Sequence, residues 1–185
     1  MPVNTRLATL TDVDVLAVLE KQYLNDELSS TGGNLEGQSF SRAELIELVN
    51  QHWIMLAEDK GQIIGYVIAG RWSFFEAWPI YRNLLNRLSK IGAGASDEFR
   101  SLTKQNSCQY GPIWVNSQYR GQGVFEALVK ALSHEIRAHF RYMVTFIAEE
   151  NERSFAAHTR KASMQVLDYF SFSGRDYYLM AALTE

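Results

Sequence analysis

The stretch YRGQGVFEAL, residues 119–128, sets the tightest limit on what this chain can fold into. It follows the apolar run Ile113, Trp114, Val115, which reads as a strand, and it opens an apolar-periodic run that reads as a helix. Strand, glycine turn and helix is the order that an anion site needs. The first turn of a helix leaves backbone N–H groups without intrahelical partners, and the helix dipole adds positive potential there. Gly121 and Gly123 let a phosphate approach the backbone closely, and Arg120 adds charge. A plain glycine-bearing helix start is the alternative. Two familiar phosphate loops are excluded. No Gly-Lys-Ser/Thr follows, and Glu126 stands where the dinucleotide fingerprint wants a small residue.

Phe125 looks out of place in a phosphate loop. Helical spacing groups it with Leu128, Val129, Leu132 and Ile136 in one apolar stripe. Its ring is therefore expected to be buried against a sheet. Its backbone N–H still points up the helix axis, and an amide cradle does not require a small side chain at that position, only room beside it.

The rest of the 185-residue chain suits one domain over 1–185 with a substantial core, 46% hydrophobic and 21% charged. No apolar run is long enough to span a bilayer. The start, MPVNTRLATLTD, lacks the charged-then-apolar layout of a secretion signal, so a cytoplasmic protein is expected. A net charge of −3 argues against nucleic-acid binding. That charge is uneven: residues 1–60 hold ten acids and four bases, which leaves the remainder at +3. An acidic first third can attract a cationic partner, and the basic remainder can tolerate an anion. A solvated mixed surface explains most of these charges as well. Cys108 is the single cysteine, so the chain can form neither an intrachain disulfide nor a cysteine-based zinc site. It reads as a buried small hydrophobe. His134 and His139 are five apart rather than four, and no metal is expected.

Along the chain, RLATL (6–10) reads as a strand, followed by a helix capped at Thr11 or Asp12 and running to about Leu24. Residues 25–39 read as a polar loop. Ser41 and Glu44 have capping-box spacing for a helix over 41–51. Residues 52–58 and 62–70 form a hairpin around EDKG. Residues 71–92 are aromatic-rich and then helical, with Trp78, Tyr81, Leu85 and Leu88 in helical spacing. A strand at 110–116, a helix at 121–140, a strand at 142–148, a helix at 152–161 and strands at 164–170 and 176–183 complete the order. This alternation implies an α/β or α+β sheet covered by helices.

A second constellation lies in NERSFAAHTRKAS, residues 151–163. Asn151 suits a helix N-cap. Asn151, Ser154, His158 and Ala162 are spaced by three, four and four, so they share one helix face. That face either meets solvent or lines a gap between splayed strands. In the second case His158 could donate a proton to a leaving group.

Together these residues resemble the GNAT N-acetyltransferase superfamily, whose element order nearly the whole chain matches. The family's phosphate motif is Gln/Arg-x-x-Gly-x-Gly/Ala, and Arg120 to Phe125 match it except at the last position. The resemblance implies a mixed, mostly antiparallel central sheet with splayed central strands, flanked by helices. It also implies acetyl-CoA as co-substrate, with its pyrophosphate on Arg120 to Phe125 and its pantetheine along Ile113, Trp114 and Val115. A later family motif, Asn-x-x-Ala/Ser-x-x-x-Tyr/His followed by Gly-Phe, is matched at Asn151, Ser154 and His158. His158 stands where the family usually has a tyrosine that protonates the departing thiolate, and Asn151 would hold pantetheine or a water. Ala162 and Ser163 replace the Gly-Phe, and Phe146 stands where some members carry a glutamate base. Residues 71–109 insert where the family has a short turn. They form an extra helix on the sheet, a wall of the acceptor pocket or a homodimer contact.

The expectation is acetyl transfer to a primary amine by direct attack in a ternary complex, without nucleic acid or membrane. The acceptor is a small molecule or a peptide, and the acidic 25–47 region favours a cationic one. The alternatives are a non-catalytic acyl-CoA sensor and an acyltransferase with another acyl group or acceptor.

Overall fold

A computed structural model of the protein describes the backbone of residues 3–31 and 39–185, without the side chains of 23–31, 89, 92 and 93. Its elements are β1 (Asn4–Leu7), α1 (Val13–Thr31), α2 (Arg42–Gln51), β2 (Trp53–Asp59), β3 (Gln62–Gly70), α3 (Trp72–Phe75), α4 (Pro79–Gly94), β4 (Ser107–Val115), α5 (Val124–Ile136), β5 (Tyr142–Ala148), α6 (Glu152–Lys161), β6 (Gln165–Phe172) and β7 (Arg175–Leu183). The strands form a seven-stranded sheet in the order β1-β2-β3-β4-β5-β7-β6. Pairs β1/β2, β5/β7 and β6/β7 are antiparallel, and β4/β5 is parallel. The class is mixed α/β with a mostly antiparallel sheet flanked by helices, as expected. Contacts divide the chain into two compact units, Met1–Ile68 with Pro112–Leu128 and Ala69–Gly111 with Val129–Glu185.

The first unit is held at its start by Arg6. The guanidinium reaches both oxygens of Asp12 at 2.8 Å and also Glu58, so β1 is tied to β2 and to the segment entering α1. Asp12 also accepts the Thr9 N–H at 2.7 Å. The hydrogen bonds from Arg6 hold the Asp12 carboxyl down at about 2. The capping box at α2 forms as read: Ser41 Oγ accepts the Glu44 N–H, and Glu44 accepts the Ser41 N–H. Lys60 and Gly61 both have positive φ, +52° and +78°, the conformation of a tight two-residue hairpin turn between β2 and β3. The helix starting near residue 13 runs past Leu24 to Thr31, because no breaker occurs before the glycines. Part of the loop expected over 25–39 is therefore helix, and residues 32–38 lie outside the described residues.

In the second unit the aromatic-rich segment packs on the sheet. Pro79 opens α4, where its missing N–H costs nothing. Ile80, Leu84, Leu88 and Ile91 form its buried stripe, in one cluster with strand residues such as Val144 and Leu179. Of the expected face Leu88 lies in this stripe, while Tyr81 and Leu85 are partly buried against it and Trp78 occupies the N-cap position without a side-chain capping bond. β4 starts at Ser107, three residues earlier than expected, and α5 is shorter at both ends than the expected 121–140. No helix among the described residues is long and apolar enough to cross a membrane.

Candidate functional site

The glycine loop belongs to the first unit and is built from backbone. Ile113, Trp114 and Val115 are half-buried in β4. At the strand end the Asn116 N–H donates to the Ile64 carbonyl at 2.8 Å, which fixes the loop to β3. Asn116 Oδ1 accepts the Gln118 N–H at 2.9 Å and caps a 3-10 turn over Ser117–Tyr119. Tyr119 then donates its hydroxyl to Asp59 Oδ2 at 2.8 Å. Gln122 Nε2 donates back to the Gln118 carbonyl at 3.2 Å. Gly121 and Gly123 both sit in the left-handed region, φ +77° and +83°, where side-chain-bearing residues are strained. The Gly123 carbonyl receives the first bond of α5 from the Ala127 N–H at 3.0 Å. The amides from Gly121 to Val124 thus lie ahead of the helix ladder, at its positive end. Among the described residues nothing lies within 4 Å of where a Cβ on Gly121 would sit, which leaves room for a ligand beside the loop.

The same unit explains how the loop is seated. A Cβ on Gly65 of β3 would meet the Trp114 carbonyl oxygen at 2.8 Å and Leu128 and Val124 methyls at 3.1 and 3.3 Å. The start of α5 therefore rests directly on β3, and only glycine permits that approach. Val124, Leu128, Leu132 and Ile136 are the buried stripe of α5. Phe125 is half-buried on its flank, and the place expected for its ring belongs to Val124. Arg120 is exposed.

The polar face of α6 belongs to the second unit and is built from side chains. Asn151 caps the helix, its Oδ1 accepting the Ser154 N–H at 3.2 Å. The face turns inward rather than to solvent. Asn151 and Ser154 are half-buried, and His158 is 3% exposed. The His158 Nδ1 lies 2.7 Å from the Ser154 carbonyl oxygen. A carbonyl only accepts, so this assigns the ring proton to Nδ1. Nε2 lies 3.2 Å from the Tyr110 hydroxyl, on a tyrosine that is 1% exposed. Burial pushes the imidazole from 6.5 down to about 4. The neutral ring has only a lone pair at Nε2, so Tyr110 donates and His158 accepts. In this state His158 has no Nε2 proton to give, a physical difference from the role expected of it.

Tyr110 lies just past the parallel ladder, which pairs Ser107–Gln109 with Tyr142–Val144. Gly111 follows at φ +101°, a backbone that interrupts regular strand geometry. Spacing alone could not reveal Tyr110, because its partner lies 48 residues away. Sequence reading also missed Glu20 of α1, which is 1% exposed and accepts the Tyr66 hydroxyl at 2.6 Å and the Phe40 N–H at 3.3 Å. Burial raises its carboxyl above the ordinary value. The only sequence signal was an acid on the core side of an apolar pattern.

Other candidates resolve plainly. Phe146 rests among the rings of Tyr81, Phe170 and Tyr177. Glu149 and Glu150 are exposed, and Glu150 pairs with Arg175. Cys108 is fully buried, and burial pushes its thiol up, which suits packing rather than nucleophilic attack. Among the described residues no group of three or more His, Cys, Asp or Glu could hold a metal ion.

The profile of the acetyltransferase (GNAT) family matches residues 21–162. Among curated protein sequences none matches the chain. Solved structures do. An N-acetyltransferase from Staphylococcus aureus is 20% identical with a TM-score of 0.65, covering 100% of both chains. A ribosomal-protein-alanine N-acetyltransferase from Brucella melitensis is 18% identical with a TM-score of 0.65, covering 97% of this chain and 99% of its own. A phosphinothricin acetyltransferase from Sinorhizobium meliloti, solved in complex with acetyl-CoA, is 20% identical with a TM-score of 0.65, covering 100% of this chain and 89% of its own. At these identities the structures speak for the fold, while the profile covers most of the chain. The chain therefore belongs to the acetyltransferase (GNAT) family and is an acyltransferase of that type.

Proposed function

We propose that the protein moves an acetyl group from acetyl-CoA to a primary amine by direct attack in a ternary complex, with 1–185 acting as one catalytic domain in the cytoplasm. The glycine loop carries this reading: two left-handed glycines, a seated helix start and open space beside Gly121 suit a pyrophosphate. Arg120, Gly121, Gln122, Gly123, Val124 and Phe125 would hold that group. The backbone of Ile113, Trp114 and Val115 would hold pantetheine, and Asn151 and Ser154 would bind pantetheine or a water. The neutral amine attacks the thioester carbon, the C–N bond forms, the C–S bond breaks, and the amine loses a proton while the thiolate gains one. We assign the thiolate's proton to the pair of His158 and Tyr110, because the hydrogen at that contact resides on the Tyr110 oxygen. No carboxylate base is assigned.

The acceptor is a small-molecule or peptide amine. The acidic balance of residues 1–60 favours a cationic one. Titration with acetyl-CoA, followed by thiol release across a panel of amines, tests the reading. Binding plus release with at least one amine is expected, and no binding at millimolar concentration would sink it. Release only with a longer acyl-CoA or a hydroxyl acceptor would replace the acetyl or the amine part. Tyr110→Phe and His158→Ala should each lower kcat by about a hundredfold, the scale of a lost general acid. Unchanged turnover in both would remove the pair from the chemistry.

A further inference from the structure

The loop that takes the pyrophosphate in the reading above is held at two points by one hairpin. Asn116, which precedes the loop, is fixed to β3 by its N–H on the Ile64 carbonyl. Tyr119, the residue before Arg120, is fixed to the last residue of β2 by its hydroxyl on Asp59. Between these strands Lys60 and Gly61 form a tight turn, so Asp59 is a rigid acceptor. The 3-10 turn over Ser117–Tyr119 joins the two anchors, with the Tyr119 N–H on the Asn116 carbonyl at 2.9 Å. The loop beyond has two glycines, which lose more freedom on ordering than any other residue. An anchor placed directly before them restricts the conformations from which the cradle must be assembled.

We propose that Tyr119 and Asp59 are positioning residues for cofactor binding: their hydrogen bond pre-orders the glycine loop, so it sets affinity for the nucleotide half of acetyl-CoA. This rests on the reading of the loop as a pyrophosphate site. The contact is charge-assisted and joins residues 60 positions apart, so it is a tertiary anchor rather than a feature of the loop itself. A purely electrostatic view makes the opposite prediction for Asp59. Removing a negative charge near an anion site should tighten binding. Loss of a positioning bond should loosen it.

The test uses the full-length protein with acetyl-CoA and with acetyl-pantetheine, which lacks the pyrophosphate. Tyr119→Phe and Asp59→Ala should each raise the Kd and KM for acetyl-CoA about fivefold to tenfold, with kcat and the KM for acetyl-pantetheine unchanged. The double variant should be no worse than either single one, because both remove one bond. Asp59→Asn, which keeps an acceptor oxygen, should recover part of the loss. A merely structural role would lower Tm but affect both substrates alike, and that outcome overturns the proposal. So does tighter binding by Asp59→Ala, or a Tyr119→Phe affinity within twofold of the unaltered protein. If the unaltered protein fails to bind acetyl-CoA, the pyrophosphate reading falls and this inference falls with it. Normal binding with an indifferent Tyr119→Phe sinks the inference alone.

Discussion

The glycine loop and the inward face of α6 solve the problem of polar groups in opposite ways. The loop exposes backbone: Arg120, Gly121 and Gln122 are exposed, and their conformation rests on two positive φ angles and two anchors. The α6 face hides side chains: His158 is buried, with its ring nitrogens on the Ser154 carbonyl and on the hydroxyl of the buried Tyr110 of β4. A backbone site tolerates changes of side chain but not of conformation. A buried side-chain pair tolerates neither a lost partner nor an added charge, because an unpaired buried group pays its whole desolvation cost. The first region should therefore report its defects in ligand affinity, and the second in stability and pH dependence.

The largest expected effect tests the buried side. His158 titrates near 6.5 in an unfolded chain and about 4 in the folded protein. Since the folded value is the lower one, the unfolded chain binds the extra proton first as pH falls. Stability from this group is present above pH 6.5 and lost progressively towards pH 4, about 3 kcal/mol in all. Urea unfolding at pH 7 and pH 4.5 should show this loss, and His158→Gln should remove it. An equal drop in both proteins would mean that His158 is not buried neutral, and the contrast would break.

Gly121→Val tests the exposed side. Its φ of +77° is a conformation that costs a residue with a side chain about 1–2 kcal/mol. Affinity for acetyl-CoA should fall about tenfold as the loop leaves its cradle shape, the equivalent of about 1.4 kcal/mol. Far-UV circular dichroism should stay unchanged. Calorimetric titration that finds full affinity would show that the backbone conformation is not what binds.

The smallest effect extends the comparison to a buried polar group in the same unit as the loop. Burial raises the folded pKa of Glu20, so its contribution to stability is present at low pH and lost as pH rises through that value. Glu20→Gln keeps an acceptor for Tyr66 without a charge. Its Tm should gain on the unaltered protein by a few degrees between pH 4 and pH 8, while acetyl-CoA affinity stays the same. A constant Tm difference across that range would show that Glu20 keeps an ordinary pKa.

Much of this fold is legible in the sequence alone. The strand at 142–148 and the helix at 152–161 have the bounds that alternation and the Asn151 cap indicated. Ser41 and Glu44 form their box because its parts are three residues apart. The structure departs from the sequence reading where local signals are weak or shared. α1 continued beyond Leu24 because polar residues without a breaker are compatible with helix or loop. In α4 Leu88 lies in the stripe as expected, but Tyr81 and Leu85 follow the same periodicity as the buried Ile80 and Leu84, offset by one residue. Phe125 and Val124 are likewise neighbours in one periodicity, and it is Val124 that is buried.

What the sequence by itself determined is the set of features whose parts lie within a turn or two of one another. These are the element order, the glycine loop at a helix start, the capping residues and the shared face of Asn151, Ser154 and His158. Only the tertiary structure decided the protonation of His158, the partnership with Tyr110, the burial of Glu20 against Tyr66, the seat of α5 on Gly65 and the anchoring of the loop by Asp59. Each of these depends on desolvation or on a contact between residues far apart along the chain. Periodicity can say which face a residue occupies. It cannot say what that face meets, and the meeting sets the charge.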